Sequence, residues 1–412
     1  MIGSVAEAAR AARGAQRVLE TASPELRRQA LEAVAEELGV QEAAILEANA
    51  HDLAAAAHLP GPMVARLRLD ARKLAAMREA VLTIAAMPDI LGEELAAWQP
   101  PSGIAIRRVR VPLGVIGIIY EARPNVTIDA AALTLRSGNA VLLKGGKEAA
   151  RSNEALGAAI AAGLARVGLP EALVQVLPAT RETTHELMNA TGLVDVLIPR
   201  GGAGLIQTVL RESRVPVIET GAGVCHIYVH EAADLAMAAS VAVNAKCGAP
   251  AVCNAAETLL VDRAVAADFL RQVGPALASR GVALRACDEA LRYLPDATAA
   301  TDEDWSTEYN DLILSVKVVG GLEEALSHIA AYGTRHSEAI ITADEAAAAR
   351  FLSAVDAAAV YHNASTRFTD GGEYGFGAEI GISTQKLHAR GPMGLAELTS
   401  YKYIIRGTGQ VR

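Results

Sequence analysis

The run Leu-Gly-Val-Ile-Gly-Ile-Ile (113–119), continued by Tyr-Glu-Ala-Arg-Pro-Asn (120–125) and answered by Ala-Val-Leu-Leu-Lys-Gly-Gly-Lys (140–147), decides the fold. The first run is apolar almost throughout and only seven residues long. That is the pattern of a strand buried on both faces, as in a parallel sheet. A helical segment follows to Leu135, and Ser137-Gly138-Asn139 reads as a turn. Ala140 to Leu143 is a second short strand.

The alternation continues outward. Asn153 to Val167 reads as a helix, Leu173 to Leu177 as a strand, Thr183 to Ala190 as a helix and Val194 to Ile198 as a strand. Val215 to Ile218 is expected to be another strand. The second half keeps the style, with strands at His226 to Val229, Thr258 to Val261, Ile313 to Val319, Glu338 to Ile341 and Ala358 to Tyr361. Helices at 232–244, 262–279, 322–331 and 344–354 lie between them. Strand–helix alternation of this kind predicts an α/β protein with doubly wound parallel sheets.

Toward the N-terminus the texture is helical from residue 4 to about 58, and again from Asp70 to Ala86. Ser23-Pro24 marks a helix start, with the hydroxyl as N-cap and proline in the first turn. Gly92 to Gly103 reads as a connection. Ile104 to Val111 alternates apolar residues with Arg107, Arg108 and Arg110, the pattern of an exposed strand. Tyr401 to Arg406 alternates too and is its natural partner.

Hydrophobic content is 51% but aromatic content only 4%, so Ala, Val, Leu and Ile must fill the interior. A net charge of −9 argues against nucleic acid or an anionic membrane surface as a partner. The N-terminus lacks the apolar core of a signal peptide, and no stretch approaches the length of a membrane span. Four cysteines in 412 residues are no disulfide framework, and no Cys-x-x-Cys pair suggests a metal. A reducing cytoplasm is the expected setting.

Cys253, in Ala-Pro-Ala-Val-Cys-Asn-Ala (249–255), sits on a turn before an apolar run, where a thiol can face a cleft while its neighbours pack. Thiolates in such partly exposed places are nucleophiles. Cys225, Cys247 and Cys287 read as ordinary packed thiols. Lys144-Gly145-Gly146-Lys147 and Arg200-Gly201-Gly202-Ala203-Gly204 each follow a strand and lead to a helix, which gathers backbone N–H groups and cations for phosphate. Two such turns in one alternating unit suit a dinucleotide. Asn125 follows a strand end and offers an amide donor for an oxyanion. Glu219 is a carboxylate that could activate water, so the residues alone leave open oxidation of an aldehyde by hydrolysis. They also leave open a scaffold that kept the fold without its chemistry.

Longer blocks narrow this. Val-Pro-Leu-Gly-Val-Ile-Gly (111–117), Tyr-Glu-Ala-Arg-Pro-Asn-Val (120–126), Leu-Ile-Pro-Arg-Gly-Gly-Ala-Gly-Leu (197–205), Gly-Val-Cys-His-Ile-Tyr-Val (223–229), Val-Cys-Asn-Ala (252–255), Asn-Ala-Ser-Thr-Arg-Phe-Thr-Asp-Gly-Gly (363–372) and Gln-Lys-Leu-His-Ala-Arg-Gly-Pro-Met-Gly-Leu (385–395) are the blocks in question. Together they resemble the aldehyde dehydrogenase superfamily, and within it the branch that reduces glutamyl phosphate. The first hundred residues match only in style.

The resemblance implies a cofactor-binding domain (1–96 and 112–222), a catalytic domain (223–392) and a small β oligomerisation arm (97–111 and 398–412). It implies Cys253 as nucleophile and Asn125 as oxyanion donor. Lys144, Gly145, Gly146, Lys147, Gly201, Gly202 and Glu308 would bind the cofactor. Lys147 stands where NAD-using relatives carry a glutamate, which favours the 2′-phosphate of NADPH. Arg123, Arg367 and Arg390 would take substrate carboxylate or phosphate. A homodimer or homotetramer is implied, with glutamate 5-kinase as a protein partner. One block departs: where the family reads Lys-Thr-Gln-Arg-Pro, this chain reads Lys-Cys-Gly-Ala-Pro (246–250). An arginine near the thiol is absent, and Lys246 is the cation left to do its work.

Overall fold

The computed structural model describes residues 4–411 except 57 and 60. Its contacts divide the chain into two units. One runs up to Thr220 and takes in Gly375–Gly381 and the chain from Met393 onward; the other is Gly221–Tyr374 with Ile382–Pro392.

In the first unit the strands Val174–Val176, Ala140–Lys144, Val115–Tyr120 and Val196–Arg200 lie side by side in that order, all parallel. Every residue of Val115–Tyr120 is buried, as its unbroken apolar run requires. The chain starts at that strand, steps outward twice on one side, then returns to the other side at Val196–Arg200. Ligands bind at such a reversal, beyond the carboxyl ends of the strands. Helices Val5–Thr21, Pro24–Val40, Glu42–Ala55, Ala71–Ala86, Pro124–Arg136 and Ala150–Arg166 belong to the same unit. Ser23 caps its helix, its hydroxyl accepting from Leu26 N–H at 3.1 Å, with Pro24 in the first turn.

The second unit holds seven parallel strands, in the order Thr298–Ala299, Ala283–Ala286, Ile313–Val319, Ala256–Asp262, Cys225–Val229, Ser337–Ile341 and Ala359–His362. Successive side chains point to opposite faces. Ile227, Leu259 and Val316 therefore pack with Phe269 and Leu277 on one face, and Tyr228, Leu260 and Val319 with Phe351 on the other. The fold is the expected α/β, with parallel sheets.

Three expectations need correction. Glu94–Trp98, read as a connection, is a strand antiparallel to Ala105–Pro112. Its Leu-Ala-Ala centre has no strand preference of its own. Pairing and an edge-on contact of Trp98 with Tyr403, 6.0 Å between ring centres, hold it extended. Val215–Ile218 is not a strand: only Val217 bridges to Leu197, and Pro216 has no N–H to extend the ladder. The short strands Ala283–Ala286 and Thr298–Ala299, the latter at the sheet edge, carry no apolar run that marks them in the sequence. The expected pairing of Ala105–Pro112 with Thr399–Arg406 is present along all eight residues. Among the described residues no helix is long and apolar enough to cross a membrane.

An interior poor in aromatics brings backbones close together. A Cβ on Gly163, in helix Ala150–Arg166, would stand 2.7 Å from the backbone nitrogen of Val34 in helix Pro24–Val40. Gly163→Ala should lower stability by about 1–3 kcal/mol, because backbone rather than a side chain must yield. Gly14, exposed in helix Val5–Thr21, meets nothing within 4 Å. Gly14→Ala should instead raise stability by about 0.5–1 kcal/mol. Urea unfolding of the two variants checks the opposite signs.

Candidate active site

In the first unit, three neighbouring strands end in turns, two of which bear the expected cofactor residues. Lys144 closes Ala140–Lys144 and is half-buried; burial lowers its pKa, which Glu148 partly offsets. Gly145 is buried, and a Cβ there would fall 2.1 Å from Nδ2 of Asn153. Gly146 lies against the backbone of Glu121 and Ala122, and Lys147 is exposed at the head of a short helical turn. Gly201 and Gly202 follow Val196–Arg200, and Gly202 is the N-cap of helix Ala203–Glu212. The three turns thus meet with backbone and few side chains between them, a cradle that fits a phosphate-bearing ligand.

One side chain does enter. Glu121 Oε2 accepts from Gly202 N–H at 2.9 Å, and a Cβ on Gly201 would meet the same carboxylate at 2.7 Å. Glu121 therefore occupies an amide that the sequence reading assigns to phosphate. That contact depends on the register Tyr120↔Arg200, which sequence alone does not reveal.

Arg123 is the N-cap of helix Pro124–Arg136, and Asn125 sits exposed in its first turn. Asn125 Nδ2 donates to Asp129 Oδ2 at 3.0 Å. Burial pushes the Asp129 carboxyl up to about 6, against the pull of Asn125 and of Arg200. Arg200 itself lies 3.8 Å from Glu379.

In the second unit, Cys253 lies half-buried on the turn between helix Leu235–Cys247 and strand Ala256–Asp262. Val252 before it is exposed, while Asn254 and Ala255 after it are buried. Gly223 backs the turn so closely that a Cβ would fall 1.5 Å from the Cys253 carbonyl oxygen. Gly223 N–H in turn donates to Glu308 Oε1 at 2.8 Å, so Glu308 and Cys253 flank one glycine. Beneath, the buried Cys225 thiol donates to the Cys253 carbonyl at 3.2 Å. Burial raises its pKa, with help from Glu338, and keeps it a thiol.

Asn254, unassigned in the sequence reading, fastens the turn from the other side. Its Nδ2 donates to the Thr369 carbonyl at 2.9 Å and the Arg367 carbonyl at 3.3 Å. Its Oδ1 accepts from the Arg367 guanidinium, and its own carbonyl accepts from Thr366 Oγ1 at 2.7 Å. Arg367 is thereby brought beside the Cys253 turn. Arg390 is placed differently, bonded to Asp356 at 2.7 Å in a surface group with Lys386 and Arg335.

Lys246 does not replace the absent arginine. Its ammonium is wholly buried and bonded to Glu257 Oε2 at 2.5 Å, with both side chains at most 1% exposed. Burial lowers the Lys246 pKa and pushes the Glu257 carboxyl up to about 7. The pair is internal structure, not a free cation.

A family model described as the aldehyde dehydrogenase family matches residues 3–289. The chain belongs to that family, in its branch of gamma-glutamyl phosphate reductases. It is 66% identical to the gamma-glutamyl phosphate reductase of Symbiobacterium thermophilum, over 98% of this chain and 99% of the relative. It is 54% identical to that of Carboxydothermus hydrogenoformans, with 98% of each covered. The crystal structure of the Thermotoga maritima gamma-glutamyl phosphate reductase superposes with a TM-score of 0.95 at 45% identity, covering 98% of this chain and 99% of that one. Enzymes of this family use nicotinamide cofactors, act on small molecules and are often oligomeric.

Breaking the Lys246–Glu257 pair tests its structural role. Lys246→Met should cost about 3–5 kcal/mol, because it strands a buried carboxylate. Lys246→Met with Glu257→Gln should cost less than the two single changes summed. With its partner gone, the raised Glu257 carboxyl holds its proton in the folded state but not in the unfolded one. Stability of Lys246→Met should therefore fall as pH rises from 5 toward 8. Urea melts at several pH values measure both effects.

Proposed function

We propose that the chain reduces L-glutamate 5-phosphate to L-glutamate 5-semialdehyde and phosphate with NADPH, through a thioester on Cys253. This is the second step of proline biosynthesis from glutamate. The observation that carries the reading is near-complete coverage of gamma-glutamyl phosphate reductases at 45–66% identity, with Cys253 half-exposed on a backbone-fastened turn.

The Cys253 thiolate attacks the acyl carbon, and the C–O bond to phosphate breaks as phosphate leaves with its electron pair. When bound, the reduced nicotinamide supplies the hydride that converts the thioester to a thiohemiacetal. Asn125 and the Cys253 N–H are the proposed oxyanion donors. Collapse to the aldehyde then frees the thiolate. Lys144, Gly145, Gly146, Lys147, Gly201, Gly202 and Glu308 are the proposed cofactor contacts, and exposed Lys147 is the cation for a 2′-phosphate. Arg123, Arg367 and Arg390 are the proposed cations for substrate. Residues 1–96 and 112–222 are assigned to cofactor, and 223–392 to chemistry. The sheet at 97–111 and 398–412 is assigned to assembly, as dimer or tetramer, in the cytoplasm. Exposed Trp98, Tyr401, Tyr403 and Ile405 support that last role. Glutamate 5-kinase, which makes the labile acyl phosphate, is the proposed protein partner.

In this reading Glu219 does not activate water. Oxidation of glutamate semialdehyde with NADP should require inorganic phosphate, and Cys253→Ser should abolish it. Cys247→Ser, Cys225→Ser and Cys287→Ser should keep most of it, since the weak nucleophilicity of serine matters only at the position that attacks. A fast rate without phosphate, lost in Glu219→Gln, would point to a hydrolytic dehydrogenase instead.

Lys147→Glu should move preference from NADPH toward NADH by tenfold or more, on the order of one lost charge-assisted contact. The ratio of kcat/KM for the two cofactors reads it. Equal loss with both would place the turn away from the ribose.

A further inference from the structure

We infer that Arg367, held by Asn254, is the receptor for the phosphate that leaves Cys253's substrate, an assignment that rests on the acyl-phosphate reading above. Three cations were candidates, and their surroundings separate them. Arg390 already faces a carboxylate, Asp356, which Lys386 shares at 2.8 Å. Arg123 caps a helix in the first unit. Arg367 alone of the three is fastened to the nucleophile's own turn, through the side chain of the next residue.

Charge decides the rest. Among the described residues no carboxylate forms an ion pair with Arg367; its guanidinium bonds to the neutral amide oxygen of Asn254. A guanidinium positioned by an amide keeps its full charge and its other N–H groups for an incoming anion. Asn254 is 4% exposed, and its two N–H bonds to the carbonyls of Arg367 and Thr369 fix which way its oxygen points. The amide therefore aims the guanidinium without neutralising it. Gly248 is a neighbour of the guanidinium: a Cβ there would stand 3.8 Å from Arg367 Nε.

The chemistry needs a cation at this place. As the C–O bond breaks, the departing phosphate gains negative charge next to a thioester with none. In the reverse direction a phosphate oxygen must be held near the thioester carbon before it attacks. One fixed guanidinium serves both directions, and Asn254 acts as a positioning residue.

The experiment is steady-state oxidation of glutamate semialdehyde by NADP with inorganic phosphate as the varied substrate. Arg367→Gln should raise the KM for phosphate roughly ten- to a hundredfold, the range of one charged hydrogen bond. It should change the KM for semialdehyde less than threefold. Asn254→Asp, which sets a carboxylate against the guanidinium in nearly the same shape, should raise the phosphate KM as well. Arg367→Lys should recover part of it. Thermal melts identify any variant that has simply lost its fold, and Arg367→Lys keeps the test decisive if Asn254→Asp is one of them. A raised semialdehyde KM with unchanged phosphate KM would overturn the inference and make Arg367 the reader of the amino-acid carboxylate. Turnover independent of phosphate in the unaltered protein would instead overturn the acyl-phosphate reading itself.

Discussion

In the proposed reaction the Cys253 thiol must meet substrate, so it cannot be packed like its neighbours, yet it must not wander. Here the constraint is met by the backbone on either side of it. The Cys253 carbonyl rests on Gly223 and accepts from the Cys225 thiol, and the next residue is tied into the 366–369 turn by its side chain and its carbonyl. A buried amide left without partners costs about 1–3 kcal/mol, so Asn254 has a strong reason to stay where it is. The thiol inherits that rigidity without being buried itself.

The same economy of side chains runs through the molecule. With so few aromatic residues, cohesion comes from many small apolar contacts and close backbone approaches. Glycines do the work where segments must touch, as at Gly163 against Val34 and Gly145 beneath Asn153. Some buried polar groups are tied into local networks. Asp52 accepts from both the amide and the hydroxyl of Ser152, and Asn139 spans the Gly114 amide and the Leu398 carbonyl.

How much of this was legible depends on range. The strand Val115–Tyr120 and the cap at Ser23 could be read because their causes lie within a few residues. Glu94–Trp98 could not, because its own residues favour nothing extended and its partners lie at 106–109 and 403. Pro216 was readable in principle: a residue without N–H sat in the middle of the supposed strand. At the candidate site, Cys253 announced its turn, but Asn254 gained meaning only from residues 366–369, and Glu121 only from Gly202. The usual guide to such sheets does not lead to Cys253. Ligands gather at carboxyl ends of strands, while Cys253 stands on the loop that enters Ala256–Asp262 at its amino end. The 246–250 segment misled for a related reason, since a lysine's reach in sequence says nothing of the buried carboxylate waiting for it.

The two units are not consecutive along the chain. The second is inserted into the first, which takes back Gly375–Gly381 and then the chain from Met393 onward. Its last strand, Thr399–Arg406, lies along Ala105–Pro112. During synthesis the inserted unit is therefore complete before the one that encloses it, and Ala105–Pro112 leaves the ribosome with one flank bare. Until Thr399–Arg406 has been made, that flank is an open strand edge, the kind of surface that pairs with whatever strand is near. The arginines at 107, 108 and 110, two of them paired with Glu94 and Glu93, keep that strand charged, a safeguard that matters most until its last partner strand arrives.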